Sequence, residues 1–358
     1  MKSRLYTIFP SKSFTASTTE VIDLKTVDAI SQLLILVAFT NASATLTAHP
    51  CALISKVEIV DGSDVLYSLD GYEAMALDYY DQKGKLRLNY NYALNGGAGD
   101  LCLGINFGRF LFDPLYAFDP KRFVNPQLRI TIAVAAGGGA ATPVVVKVLG
   151  ALFDDKVITP NGFFMSKEAK VYTTASGTHE YTDLPLDYPY RGIYVRPWLL
   201  GTEPDQSISN IKLVEDYGKR IPFDENPANI SRALANMYPE IVEHWYFALA
   251  TSNKYIYCTP TERVAAISAV WAAAAVAQDA AFYDGDGGRL KTIAAANASN
   301  TQVIVRGCTP HAVYELPVCD KDDPSDYWNV SGLGNLRLDI TGAATAVCQI
   351  FTQQVRSY

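Results

Sequence analysis

The sequence predicts an all-β fold: two tandem, eight-stranded jelly-roll β-sandwiches with antiparallel strands, each sandwich carrying one short helix. Three observations lead there. A strand–turn–strand–helix signature occurs twice in the 358 residues. Short runs of β-branched and aliphatic residues, roughly eight per half, are separated by turn residues. Long helices do not alternate with these runs, as a parallel α/β sheet would require.

The repeat comes first because internal duplication fixes architecture before any other signal. Ser55-Lys56-Val57-Glu58-Ile59-Val60-Asp61 is echoed by Ser209-Asn210-Ile211-Lys212-Leu213-Val214-Glu215, and Asp70 by Asp224, at one offset: 209 − 55 = 224 − 70 = 154. Leu128-Arg129-Ile130-Thr131-Ile132 is echoed by Leu336-Arg337-Leu338-Asp339-Ile340 at 336 − 128 = 208, which leaves 208 − 154 = 54 additional residues in the second half. Such a period is too long for a solenoid and reads as two related domains.

In the first half, strands are expected at Thr19–Leu24, Ser31–Thr40, Ala52–Val60 and Val65–Leu69, with Asp61-Gly62-Ser63 as a tight turn. Asp70 then caps a helix, and Glu73 three residues later completes a capping box. Leu86–Leu94, Leu101–Phe107, Leu128–Ala135 and Val144–Phe153 follow as strands, the last two joined by a flexible loop at Gly137-Gly138-Gly139. In the second half, strands are expected at Val171–Thr174, Glu180–Thr182, Ile193–Arg196, Ile211–Glu215 and Lys219–Phe223. A helix starts at Asn226 with Pro227 in its first position and buries Ile230, Ala233, Leu234 and Met237 on one face. Val242–Ala248, Lys254–Thr259, Gln302–Arg306, Val313–Pro317, Leu336–Thr341 and Val347–Val355 complete the set. Val264–Phe282, with its Ala272–Ala275 run, suits a helix by propensity or an extended protruding loop. The expected division is an amino-terminal arm at 1–13, a first roll at 14–157, a linker at 158–169, and a second roll at 170–358 with inserted loops at about 260–300.

Composition narrows the function. The net charge of −7 argues against coating nucleic acid by charge neutralisation. Charged residues make up 19% of a chain with 22 Tyr, 24 Gly and 18 Pro, which suits strands, turns and surfaces buried between subunits. Cys51, Cys102, Cys258, Cys308, Cys319 and Cys348 show no C-x-x-C spacing and read as reduced, mostly buried thiols. No secretory signal follows Lys2 and Arg4, so cytoplasmic synthesis is expected. The apolar run Leu33–Phe39 has seven residues against the roughly 20 that span a bilayer; it reads as a buried strand.

Catalytic and metal chemistry finds no support in the residue spacing. His49, His179, His244 and His311 are widely separated, and Glu243-His244, the nearest approach to a cupin-type metal site, has nothing to complete it. Asp284-Gly285-Asp286-Gly287-Gly288 lacks the later glutamate of a calcium loop. Asp320-Lys321-Asp322-Asp323 reads as a solvated loop. The N-x-S sequons at Asn41, Asn229, Asn297 and Asn329 carry little weight without a secretory signal. No catalytic, cofactor-binding or metal residue is assigned, and no cofactor is expected.

The repeated units Ser55–Tyr80 and Ser209–Met237 carry a family resemblance. So do Asn335-Leu336-Arg337-Leu338-Asp339-Ile340-Thr341 with Gln349-Ile350-Phe351-Thr352-Gln353-Gln354, and Phe118-Asp119-Pro120 with Phe123-Val124-Asn125-Pro126-Gln127-Leu128. The chain resembles the double jelly-roll major capsid proteins of tailless icosahedral viruses, the group of adenovirus hexon and the membrane-containing bacteriophages. The resemblance implies a non-enzymatic structural protein of the virion, made in the host cytoplasm. It implies a homotrimer whose six rolls form a pseudo-hexagonal capsomer that packs against neighbouring capsomers, with a different (penton) protein at the vertices. The 54-residue excess would form tower loops, and the arm, with Lys2, Arg4 and Lys12, would reach an internal viral membrane or a neighbouring capsomer. No sequence-specific nucleic acid is implied. A tandem β-sandwich adhesin or carbohydrate-binding protein, stacking sugars on Trp198, Trp245, Trp271 or Trp328, is the alternative. A metal-loaded cupin-like enzyme is the third class.

Overall fold

The computed structural model describes residues 3–41, 46–87, 89–93, 96–135, 143–154, 158–248, 254–270, 282–284, 287–292 and 300–358. The first half runs through β1 (Ser3–Phe14), β2 (Thr18–Asp23), β3 (Ile30–Thr40), β4 (Ile54–Asp61), β5 (Asp64–Leu69), α1 (Gly71–Asp81), β6 (Asn89–Ala93), β7 (Ala98–Asn106), β8 (Pro126–Ile132) and β9 (Val144–Phe153). The second continues with β10 (Gly162–Thr173), β11 (His179–Asp183), β12 (Tyr190–Trp198), α2 (Pro204–Ser207), β13 (Ile208–Glu215), β14 (Arg220–Glu225) and α3 (Pro227–Met237). Then come β15 (Ile241–Ala248), β16 (Lys254–Tyr257), β17 (Pro260–Val270), β18 (Phe282–Asp284), β19 (Arg289–Thr292) and β20 (Asn300–Pro310). The chain closes with β21 (Tyr314–Leu316), β22 (Leu336–Gly342) and β23 (Val347–Ser357).

The strand orders β1-β9-β3-β7 and β2-β8-β4-β5 in the first half recur as β10-β23-β12-β21 and β11-β22-β13-β14 in the second. Each half is therefore a jelly roll, and the two are the same roll twice. Alternation along the strands explains the second sequence echo. Leu128, Ile130 and Ile132 of β8, like Leu336, Leu338 and Ile340 of β22, point inward and are buried, while the residues between them are half-exposed. The inner faces of both rolls share one continuous apolar core. Leu33–Phe39 lies in β3, and no helix among the described residues is long and apolar enough to cross a membrane.

The turns account for small departures from the repeat. β4 and β5 are joined across Gly62 and Ser63, whereas four residues, Asp216 to Lys219, separate β13 from β14. The offset therefore grows from 154 to 226 − 70 = 156, and Asn226, not Asp224, takes the capping role of Asp70. At α1 the capping box forms as expected: the Glu73 amide donates to Asp70 Oδ1 at 2.8 Å, and the Asp70 amide donates to Glu73 Oε2 at 2.9 Å. The helix is buried along nearly its whole length. Gly71 permits this, because a Cβ there would lie 2.2 Å from the Cys51 carbonyl oxygen and 2.6 Å from that of Ile54. Gly71→Ala is expected to cost about 3 kcal/mol in urea unfolding, the upper range for forced overpacking.

Four expectations change. Residues 3–14 form β1, paired antiparallel with β9 from Ser3↔Phe153 to Phe14↔Val144, so they are not a free arm. Arg4 pairs with Asp28 at 2.9 Å and Lys12 with Glu20 at 2.7 Å. Most of the expected linker is β10, which pairs with β23. The insertion of the second roll fills the interval between α3 and β21 and is itself pleated: β15, β20, β17 and β18 extend the first roll's sheet through the parallel contact of β15 with β6. Residues 260–270 are strand, not helix; residues 271–281 lie outside the described residues. On α3 the buried side is Pro227, Ile230, Ser231 and Leu234, while Ala233 and Met237 are exposed.

Candidate functional site

The chemically most developed region is the seam between the rolls. β5 of the first roll lies parallel to β10 of the second, with Tyr67 opposite Ser166 and Ser68 opposite Lys167. α1 packs in the same seam and ends on Asp81, which is buried. Arg191 of β12 reaches it at 2.5 Å and also donates to Gln353 of β23 and to the Lys321 carbonyl at 3.2 Å. Its guanidinium lies 4.3 Å from the centre of the Phe164 ring. Lys321 Nζ adds a second cation, 3.2 Å from Asp81 and 2.7 Å from Glu315. Burial pushes the Asp81 carboxyl up, but Arg191 and Lys321 outweigh it and hold the group below the usual carboxylate range. Burial likewise opposes the Arg191 charge, and Asp81 more than restores it. A second bridge, Arg196 to Gln349, sits beside the helix cap, where Gln349 donates to Asp70 Oδ2 at 3.0 Å. These groups can fix orientation; a satisfied ion pair at the end of a buried helix holds no free nucleophile or base.

The seam lies within one eight-stranded sheet, and two other sheets end in free edges. β1 is the terminal strand of its sheet, as is β14 of the four-stranded sheet, and most of their residues are exposed. Leu5 is 62% exposed, Tyr6 45%, Ile221 47% and Met237 56%. Beside β14, a groove of about 330 Å³ is lined by Phe223, Ile230, Ala233, Leu234 and Pro317 together with Glu225 and Asn229.

The structure brings together two histidines that the sequence keeps 262 residues apart, 311 − 49 = 262. His49, Cys51 and His311 are buried, with ligand-capable atoms all within 4.8 Å of one another. The His49 and His311 rings stand edge to face at 4.6 Å. Burial pushes the Cys51 thiol well up and His311 well below the ordinary histidine value, so both are neutral. The sequence pair Glu243-His244 is split by strand alternation: Glu243 turns inward to His49 Nε2 at 3.5 Å, while His244 faces out and meets Gln302 at 3.1 Å. No spacing rule reveals this cluster, because its members come from a turn before β4 and from the end of the inserted region.

The remaining candidates do not converge. His179 pairs with Asp339 on the outer face at 2.8 Å. Asp322 pairs with Lys83 and Asp323 accepts from Ser325, which makes the acidic run a turn, while Gly285 and Asp286 lie outside the described residues. Asn229 and Asn329 are not buried, Asn41 is buried, and Asn297 lies outside the described residues. Trp245 is core, Trp198 and Trp328 are half-buried, and Trp271 lies outside the described residues, so no aromatic platform is laid out among the described tryptophans.

Glu262 of β17 supplies a titration signature. It is buried, accepts from Tyr314 and from Thr309 at 3.3 Å, and burial pushes its carboxyl up to about 8. Between the unfolded value near ~4.3 and about 8 the folded state keeps a proton that the unfolded state has lost, so stability falls as pH rises through this window. Glu262→Gln is expected to remove that decline, and unfolding midpoints at pH 5 and pH 9 for both proteins test it.

No family model matches the sequence, and no curated protein matches it either. Solved structures do match. The STIV MCP has a TM-score of 0.62 at 10% identity, over 99% of this chain and 97% of that one. The major capsid protein P2 from bacteriophage PM2 gives 0.56 at 10% identity, over 99% and 98%. PBCV-1 VP54, fitted into a reconstruction of the virophage Sputnik, gives 0.54 at 12% identity, over 98% and 94%. At these identities the likeness speaks for the fold, and it spans both rolls and their side-by-side arrangement. This chain has the double jelly-roll fold of viral major capsid proteins.

Proposed function

We propose that this protein is the major capsid protein of a virus, assembling as a homotrimer whose six rolls form a pseudo-hexagonal capsomer of an icosahedral shell. The observation that carries the reading is the mismatch between one satisfied seam and its unsatisfied copy. Within the chain, β5 of the first roll pairs with β10 of the second, and α1 is buried beside them. In the second roll the equivalent strand β14 and the outer side of the equivalent helix α3 are exposed, and so is β1, the first roll's counterpart of β10. A second copy placed with the same roll-to-roll relation would cover β14 and α3 with its β1. Such a head-to-tail contact forms a closed ring when the rotation closes, and six equal steps correspond to three chains.

In this reading the first roll runs through Asp154, the second begins at Gly162, and the insertion from Ile241 to Pro310 forms the tower. Flat packing of pseudo-hexagons leaves the five-fold vertices to another protein. Native mass spectrometry of the full chain at micromolar concentration is expected to show a homotrimer, and negative-stain electron microscopy a hexagonal outline. A protein that stays monomeric, or that forms two-fold dimers, overturns the proposal.

A further inference from the structure

We propose that His49, Cys51, Met75 and His311 bind one copper(I) ion that ties the first roll to the inserted region of the second. Cys51 Sγ lies 3.6 Å from His311 Nε2 and 3.1 Å from Met75 Sδ, and His311 Nε2 lies 3.2 Å from the same thioether. A tetrahedral centre with metal–sulfur and metal–nitrogen distances of ~2.3 and ~2.05 Å has a sulfur–nitrogen edge of about 3.6 Å, the Cys51–His311 separation seen here. The thioether of Met75, now closer to both, would draw back by about 0.5 Å to admit the ion. All four side chains are buried, so an ion held there is shielded from competing water ligands.

The donor set selects the metal. Two imidazoles, a thiolate and a thioether favour a soft ion, and the thioether in particular favours copper(I) over zinc, calcium or magnesium. Binding exchanges the Cys51 S–H bond for a copper–sulfur bond and releases one proton to solvent. The groups behind the donors are already placed to support them. Glu243 Oε1 and Thr259 Oγ1 lie 3.5 and 3.4 Å from His49 Nε2, which leaves Nδ1, the edge that now accepts from the Cys51 amide at 3.1 Å, to turn to the ion. A carboxylate behind a ligating imidazole orients the ring and raises its basicity. His311 (φ 51°) and Ala312 (φ 64°) are consecutive residues at positive φ, and Thr309 (φ 56°) is a third just before Pro310. That backbone is pinned by the His311 amide on the Thr259 carbonyl at 2.8 Å and the Ala312 amide on Thr261 Oγ1 at 2.9 Å. Strain held by specific bonds often marks a site that must present a side chain in a fixed direction.

The test refolds the full chain anaerobically with copper(I), then challenges it with a chromophoric copper(I) chelator. One ion per chain should be retained, with sulfur bound directly to it by X-ray absorption. Cys51→Ser and His311→Asn should each weaken retention about 100-fold, and the near-isosteric Met75→Leu about 10-fold while leaving zinc(II) affinity unchanged. Circular dichroism of each variant confirms the fold. Loss of all copper to the chelator, or undiminished binding in the Cys51→Ser/His311→Asn double variant, overturns the site. Tighter binding of zinc than of copper overturns the assignment of the metal.

Discussion

Arg191→Met should lower the free energy of unfolding by about 3–5 kcal/mol, the range for removing one partner of a buried ion pair. Methionine fills much of the arginine stem's volume against Phe164, so lost packing accounts for little of this cost. Most of it falls on Asp81, which keeps Gln353 at 2.9 Å and Lys321 at 3.2 Å but loses its arginine partner while still fully enclosed. Its carboxyl sits below the ordinary range in the native protein, so it contributes stability above the unfolded value near ~3.9 and loses it as pH falls below. In Arg191→Met, burial is opposed only by Lys321 and the Gln353 hydrogen bond, the carboxyl moves up, and the variant gains stability relative to wild type as the solution is acidified. Pairing the substitution with Asp81→Asn should restore part of the loss, because the stranded charge is gone; contacting residues of this kind couple by about 1–3 kcal/mol. Urea unfolding followed by tryptophan fluorescence measures all four proteins of the cycle. A loss under about 1 kcal/mol for Arg191→Met would show that the seam is held by apolar packing and not by this network.

Legibility in the sequence followed physical range. Whatever depended on neighbours a few residues apart was readable: the Asp70–Glu73 capping box, Asn226-Pro227 at the start of α3, and the alternation that buries Leu128, Ile130 and Ile132. The duplicated pattern extended that reading to the fold. β1 escaped because an edge strand is specified by its partner: with Arg4 and Lys12 and most positions exposed, it shows no one-sided apolar pattern until β9 pairs with it. β10 was obscured by Pro160-Asn161-Gly162 and by Lys167, Glu168 and Lys170. The seam and the histidine–cysteine cluster were invisible for a stronger reason. Asp81, Arg191 and Gln353, or His49 and His311, become neighbours through strand register across two rolls, and no local spacing encodes that. Adjacency misled in the opposite sense at Glu243-His244, where neighbouring residues on a strand face opposite sides.

Leu5→Asp/Tyr6→Asp on β1, and separately Ile221→Asp on β14, should each convert a trimer to monomers with little effect on the fold of the chain. Pairing registers specify the positions on β1 and the strand on the other side of the contact. On β10, Ser166 and Lys167 contact the neighbouring roll and lie opposite Gln353 and Thr352; on β1 the corresponding residues, opposite Ala151 and Gly150, are Leu5 and Tyr6. On β14 the residues corresponding to Tyr67 and Ser68 are Phe223 and Asp224, on the same exposed strand as Ile221. Uncovering one or two such side chains and inserting a charge at an edge costs about 3 kcal/mol per contact. A closed trimer contains the contact three times, so its formation constant should fall by about 10⁶. The same side chains are exposed in the single chain, so unfolding should shift by no more than about 0.5 kcal/mol. The decisive measurement mixes the two variants. A chain with a dead β1 still offers a live β14, and the other variant offers the reverse, so one good contact forms between them and the ring cannot close. The mixture should give a heterodimer and no trimer by native mass spectrometry. Trimers recovered on mixing, or monomers from neither variant alone, would place the assembly contact elsewhere on the chain.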